Sequence, residues 1–576
     1  MKKIGLWLWA VCLCTAAHGA GKIRAEVARQ PRTFCNPVDL PYRFMLIPEG
    51  KGAREAADPV VVPFGGRYYL FASKSGGYWH TADFAQWTYV PVPDSVLPIE
   101  DYAPALFERG GWLYYAGSVP GNAMFYRSKA PERGEWEPVA RIPSRWDPAF
   151  WVEGDDLYVY YGSSPVDPIR MVTLDANTFR PKAAPQDCFD SDTSVHGWER
   201  PGARHELKRR PYIEGAWMTK YGGKYYLQYA GPGTEWDTYA DGVYLGDSPV
   251  GPWRYMPNSP TSAKEGGFIG GAGHGCLFEV EGRWWKAATN SISVKHMFER
   301  RVSFYPSGFD ADGYLWTDTY RGDYPMWLPG GSPDGTAGPR WELLSLHRPV
   351  RVSSAWDGHG GVLAADENVR TEWAARSAGA DEWLEIDLGP GCRVAAVQVN
   401  FGEFGSALTA RDARPRQSYV LEASHDGQRW YTVADNSEKT TDTPHDYIEF
   451  RKPFRARYLR IRNVKYTVSP CFSLRDLRVF GFRRGEAPGA VDDLAVVRDR
   501  EDDCRAALRW SPVPGADGYV VRYGIAPDKL YGSIRIPDGR ADGWEMTGLN
   551  SGVPYWFAAD VFNGSGTVRG KPVAAR

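Results

Sequence analysis

The sequence runs to 576 residues, several times the usual domain length, so two to four domains are expected. A formal net charge of −2 excludes the basic surface that a sequence-independent grip on nucleic acid or anionic lipid requires. Aromatic residues reach 14%, beside 63 Gly and 44 Pro, which points to many short strands joined by turns.

Lys2–Lys3, the apolar stretch Leu6 to Ala17 and the small residues at 16–20 read as a secretory signal over residues 1–20, too short to span a bilayer. A secreted or periplasmic protein is expected. Cys12 and Cys14 leave a lipid-anchored surface form as the alternative. No later stretch is long and apolar enough to cross a membrane. The cysteines that follow, at 35, 188, 276, 392, 471 and 504, are too sparse for a disulfide scaffold. Cys392 with Cys471 is the pair considered for a bridge, isolated buried thiols being the alternative.

Next comes a repeat. A Gly-rich turn followed by an aromatic-rich strand recurs as "GGRYYLFAS" (65–73), "GGWLYYAGS" (110–118), "GDDLYVYYGSS" (154–164), "GGKYYLQYA" (222–230) and "EGRWWKAAT" (281–289). Repeats of this size, made only of strands and turns, predict a five-bladed β-propeller over residues 31–332, with a two-sheet sandwich as the alternative. Upstream of each turn a polar group interrupts a short apolar strand: Asp58, Asp101, Asp147, Glu214 and His274. An Asp before Pro usually caps a turn, which accounts for any one case but not for five in phase. If each such strand is the innermost of its blade, four acids and one histidine converge on one mouth of a central channel.

Near Gly330 the repeat stops. Residues 338–484 alternate as antiparallel strands, and a Pro/Gly-containing linker leads to a third unit, 488–576. There Trp510 and Tyr555 fit a small seven-stranded sandwich. The whole chain is thus expected to be all-β.

Carboxylates around an aromatic-lined depression are what glycosidic bond cleavage requires: one protonated acid for the leaving oxygen, one ionised carboxylate for water. Glu214, with apolar flanks in "PYIEGAW", is the expected general acid, and Asp58, open to the channel mouth, the general base. Asp147 between them would hold Glu214 in position and raise its pKa by like-charge repulsion. Trp79, Trp146 and Trp217 offer faces for a sugar ring, core packing being the alternative.

Residues ~33–330 resemble the glycoside hydrolases of family 43. "ADPVVVPFGGRYYLFAS" matches that family's base segment, "DPAFWVEGDDLYVYYG" its pKa-modulating Asp segment, and "IEGAWMTKYGGKYYLQYA" its general-acid segment. "GAGHGCLFEVEGRWW" resembles the segment whose His faces the channel, often near a bound metal ion, which makes His274 a candidate for a channel ion. The resemblance implies an inverting α-L-arabinofuranosidase or β-xylosidase acting on plant polysaccharide side chains. An exo-β-galactosidase of the same fold and a non-catalytic glycan-binding propeller are the alternatives. Asp101 joins the substrate-binding residues. Within "ERRVSFYP", Arg300 or Arg301 is the sugar-binding arginine, and Arg301 is assigned the role. The stretch 187–211 reads as an extra loop that either lines the pocket or is solvated.

The middle unit resembles the discoidin, or coagulation-factor type C, modules that overlap with carbohydrate-binding family 32, on "AADENVRTEWAA", "EWLEIDLG" and "RYLRIRNV…LRVFGF". That resemblance implies a structural calcium ion near Asp366 and a glycan site in loops carrying Trp356 and Phe404. The last unit resembles fibronectin type III. No cofactor is required for the chemistry. The expected partner is a poly- or oligosaccharide, with no nucleic acid and no membrane span, and the expected state a monomer.

Overall fold

A computed structural model describes residues 25–46, 52–99, 102–118, 122–143, 145–333, 335–409 and 413–576. The signal segment 1–20 and Asp101 lie outside the described residues.

The first domain consists of five four-stranded antiparallel sheets, each a simple meander in chain order. Their first strands are Ala57–Phe64, Tyr102–Arg109, Ala149–Glu153, Glu214–Tyr221 and Gly270–Val280. Each first strand touches the next, and Gly270–Val280 touches Ala57–Phe64, so the inner strands close a ring, the arrangement of a β-propeller. The Gly-rich repeats are the hairpins between first and second strands. Gly65–Gly66, Gly110–Gly111 and Gly222–Gly223 all have positive φ at both positions, which is what a tight two-residue hairpin needs and what glycine supplies without strain. Blade faces pack on one another through aromatic clusters, such as that of Phe71, Tyr78 and Tyr115 between the first two blades.

The second domain is a sandwich of two five-stranded sheets. Cys392–Phe401, His445–Arg455 and Ser473–Arg483 carry one sheet; Trp383–Asp387, Gln417–Ser424 and Tyr458–Tyr466 carry the other. Trp373, Leu384, Val397, Leu421 and Leu477 fill the space between them. The last unit sets a three-stranded sheet, begun by Ala495–Arg498, against a larger one built on Gly518–Gly524 and Trp556–Asn563. Glu265–Gly266 of the propeller adds to that larger sheet by parallel pairing with Ile534–Arg535, so the sheet crosses the domain boundary.

The middle of the segment 187–211 docks on the last unit, while its ends, Asp187 and Lys208–Arg210, are exposed. Gly197 N–H donates to Leu549 O at 3.0 Å, and Arg200 pairs with Asp502 at 2.6 Å. Glu199, fully buried, is satisfied by His196 and by the Tyr229 hydroxyl. The six described cysteines are free; Cys392 donates to Leu388 O and Cys471 accepts from the Trp356 indole N–H, so these two form no bridge. No helix among the described residues is long and apolar enough to cross a membrane.

Candidate active site

The site begins with a backbone irregularity repeated around the ring. In the first, second, fourth and fifth blades the ladder between the first two strands slips by a bulge, between Ala57 and Val60, Tyr102 and Ala105, Glu214 and Trp217, and Gly273 and Cys276. The residue entering each bulge is left-handed: Asp58 (φ 52°), Ala103 (46°), Gly215 (62°) and His274 (32°), joined in the third blade by Asp147 (49°). Bulges re-aim side chains, and left-handed backbone in non-glycine residues persists where surrounding structure enforces it. Three of the five polar positions predicted in phase, Asp58, Asp147 and His274, occupy this position. The second blade has Ala103 there rather than Asp101. In the fourth blade Glu214 stands one residue ahead, because Gly215 takes the bend; a Cβ there would meet the His274 ring at 2.5 Å.

The side chains meet at the channel mouth. His274 Nδ1 stands 3.2 Å from Asp58 Oδ1 and 3.8 Å from Asp147 Oδ2. One ligand atom each from Asp147, Glu214 and His274 falls within 4.8 Å of the others. Burial would push Asp58 up, but the Arg300 guanidinium at 3.2 Å, His274 and the hydrogen bond from Ser73 outweigh it and hold the carboxyl below its ordinary range. Asp147 goes the other way. Burial, reinforced by the negative charges of Glu214 and Asp58, pushes it up to about 7 against the pull of His274 and Ser118. Asp58 and Asp147, both beside His274, are thus driven apart in acidity. Glu214, partly exposed, accepts from Tyr239 Oη at 2.5 Å and Ser163 Oγ at 2.9 Å.

Sequence reading missed the hydroxyls that hold these groups, although the signal was in the repeats, four of which run into Ser or Thr. Ser73 Oγ donates to Asp58 Oδ2 at 2.5 Å and accepts the Ala103 N–H of the next blade at 2.7 Å. Ser118 accepts the Asp147 N–H at 2.7 Å and donates to its carboxylate at 3.2 Å. Ser163 reaches Glu214, and Thr289 accepts the Asp58 N–H at 2.8 Å while donating to His274 O at 3.0 Å. From the fourth blade to the fifth the link is Asp241, which accepts the His274 N–H at 2.8 Å and is neutralised by fully buried Lys286. Tyr239 had no periodic signal.

Two predicted residues are corrected. Arg301 is not at the site: it is buried against the second domain, with Nε 3.1 Å from His445 Nε2 and Nη1 donating to Arg54 O at 3.0 Å. Adjacent strand residues point to opposite faces, so only one of the pair can reach the channel, and it is Arg300, bonded to Glu55 at 2.6 Å as well as to Asp58. Trp79 has no exposed surface and packs on Tyr89, because its strand sits inside the blade stack. Trp217 is partly buried: it packs against four of the apolar clusters between blades and keeps part of its surface exposed, so it remains a candidate sugar platform on the strand of Glu214. Trp146 remains a candidate wall, 49% exposed next to Asp147.

A cation could be bridged by Asp147, Glu214 and His274, although both carboxylates already accept hydroxyl protons. Asp366, the expected calcium ligand, accepts instead from the Thr371 hydroxyl through both oxygens and from the Asn368 N–H, and no group of three metal-ligating side chains gathers there among the described residues. Trp356 is 46% exposed with its ring fixed by the bond to Cys471, and Phe404 stands 6.1 Å away.

Two regions of the chain resemble known proteins. The family model "Glycosyl hydrolases family 43" matches residues 52–315, and "F5/8 type C domain" matches 349–477. A "Beta-xylosidase" of Xylanibacter ruminicola is 23% identical over 265 residues, 44% of this chain and 70% of that protein. A "Xylosidase/arabinosidase 43A" of Humicola insolens is 26% identical over 271 residues, 44% of this chain and 72% of that protein. A solved structure described as "Glycoside hydrolase" is 18% identical with a TM-score of 0.44, covering 76% of this chain and 99% of its own.

Proposed function

We propose that this glycoside hydrolase removes α-L-arabinofuranosyl or β-xylosyl residues from plant polysaccharide side chains by a single displacement with inversion. The observation that carries the reading is the gathering of Asp58, Asp147 and Glu214 around His274, with Asp58 held ionised. Asp58 is held ionised by Arg300, His274 and Ser73, which suits a group that must take a proton from water. Glu214 sits on the fourth blade, two blades from Asp58 around the ring, held by the Tyr239 and Ser163 hydroxyls.

In the step, Glu214 Oε delivers its proton to the glycosidic oxygen as the C–O bond breaks. Asp58 takes a proton from the water that attacks the anomeric carbon from the other face, and the charge developing on the ring is met by the surrounding carboxylates. Asp147 and His274 stand between the two and keep them apart. No cofactor enters the bond-breaking step. The names of the xylosidase and arabinosidase relatives support the choice of pentoses. The same reading takes the second domain as carbohydrate-binding, the last unit as a fibronectin type III-like spacer, and the protein as exported.

Aryl α-L-arabinofuranosides, β-xylosides and β-galactosides test it directly. Wild type is expected to cleave a pentoside, and Glu214→Gln to lose about 10²–10⁴-fold in kcat while keeping its melting temperature. Proton NMR of the first-formed sugar should show the inverted anomer. A retained anomer, or wild-type rates in both Asp58→Ala and Glu214→Gln, would sink the assignment.

A further inference from the structure

A closed ring of blades has one seam where the chain does not run on from one blade to the next, here between the fifth and the first. Arg300 and Asp58 face each other across that seam. Arg300 opens the third strand of the fifth blade, Arg300–Phe309, while Glu55 and Asp58 belong to the chain entering the first.

The residues flanking this inner pair point outward, as strand alternation requires, into the second domain. Glu299, fully buried, accepts from Arg475 Nη2 at 3.0 Å and caps the Val294 and Lys295 N–H groups. Arg301 lies 3.6 Å from Glu403, and Arg54, next to Glu55, lies 2.7 Å from the same Glu403 oxygen. Arg54 also pairs with Asp442 at 2.6 Å, and Lys295 with Glu403 at 3.3 Å. One second-domain carboxylate therefore grips both sides of the seam, and Arg475 fixes the residue that precedes Arg300. Glu403 and Arg475 are themselves almost fully buried, so these pairs are not the screened surface contacts that contribute little.

We propose that Glu403 and Arg475 of the second domain are positioning residues for Arg300, so that the catalytic cleft is complete only when the second domain is docked across the ring seam. The proposal rests on the reading of Asp58 and Arg300 as parts of the hydrolytic site. Neither Glu403 nor Arg475 is placed to touch substrate; both act by fixing the strand start that aims the Arg300 guanidinium.

The test is a mutant cycle in the full chain, read as kcat/KM on an aryl pentoside, with circular dichroism melting of every variant. Arg475→Met is expected to lower kcat/KM at least tenfold, and Arg475→Lys to recover most of the loss. In an Arg300→Met background Arg475→Met should change kcat/KM by less than twofold, because nothing remains to be aimed. An equal loss in both backgrounds would mean general structural damage, and a folded Arg475→Met within twofold of wild type would mean no positioning; either overturns the proposal. Should Arg475→Met melt below the assay temperature, Glu403→Gln takes its place in the cycle with the same two criteria. Wild-type activity in Asp58→Ala would instead overturn the reading of the site on which the proposal rests.

Discussion

Ser73 joins three things at one oxygen: its own strand, the base Asp58, and the first strand of the next blade through the Ala103 N–H. Ser73→Ala removes a donor 2.5 Å from an ionised carboxylate and leaves a buried N–H without its acceptor. A hydrogen bond to a charged group contributes roughly 1.5–3 kcal/mol, and an orphaned buried donor costs about 1–3 kcal/mol. The first figure acts on the reaction, because the bond aims Asp58 and is one of the pulls that hold its acidity high. At about 1.4 kcal/mol per decade, kcat/KM should fall roughly 10- to 100-fold. The second figure acts on the fold and should appear as a lower unfolding midpoint. The pH profile has a definite sign: with one donor gone, burial weighs more, the Asp58 pKa rises, and the acid limb of kcat/KM moves to higher pH. Ser73→Thr, which keeps the hydroxyl, should restore both. Steady-state kinetics from pH 3 to 8 and denaturant titration of the three proteins are the assays. An unmoved acid limb with kcat/KM within twofold of wild type would refute the view that the hydroxyl tunes the base.

Two further expectations separate structure from chemistry. Trp217→Ala should cost less stability than the about 3–5 kcal/mol of a fully buried aromatic, because part of the ring is exposed, and should raise KM if that part carries a sugar; an unchanged KM would leave Trp217 a packing residue only. His205 is buried where the 187–211 segment meets the last unit, and burial depresses its pKa to about 4 against an ordinary 6.5. A group whose folded pKa is depressed gives stability that is present above its unfolded pKa and lost as pH falls toward the folded one, here from about 6.5 to about 4, amounting to roughly 3 kcal/mol at most. His205→Asn should flatten the melting temperature across that window; parallel curves for variant and wild type would show that another group carries the acid sensitivity.

The all-β class and the hydrolytic domain were legible because their signals are local and periodic: a hairpin glycine pair, an aromatic strand, an Asp before Pro. The phase of the acids was legible only approximately. A bulge shifts register by one residue, so Asp101 and Glu214 look equivalent to Asp58 in spacing, yet Ala103 and Gly215 take the bend. Arg300 against Arg301 was undecidable from sequence, since two neighbouring arginines on a strand differ only in which face they serve, and that depends on where the second domain lies. Trp79 carries the same residue type as a sugar platform but is buried by blade packing, which the local sequence does not record. The 187–211 segment looked like a solvent loop because its partners, Asp502, Leu549 and Asn550, lie some 300 residues away.

The pattern of what was missed has a physical reason. The proposed base and acid, Asp58 and Glu214, belong to the first and fourth blades, so their separation is set by every blade between them, and also by the seam that closes the ring. Hydroxyl bridges from one blade to the next fix most of that path: Ser73 to Ala103, Ser118 to Asp147, Ser163 to Glu214, Thr289 to Asp58. At the seam itself the loads fall on Thr289 and on the Arg300 cradle, and behind that cradle stands the second domain. The same domain also reaches the acid's side of the cleft, where Arg370 pairs with Asp237 at 2.7 Å, two residues before the Tyr239 that holds Glu214. The proposed base and acid are thus braced, through Glu299 and Arg300 on one side and Asp237 and Tyr239 on the other, by a domain whose fold alone suggests only an accessory role.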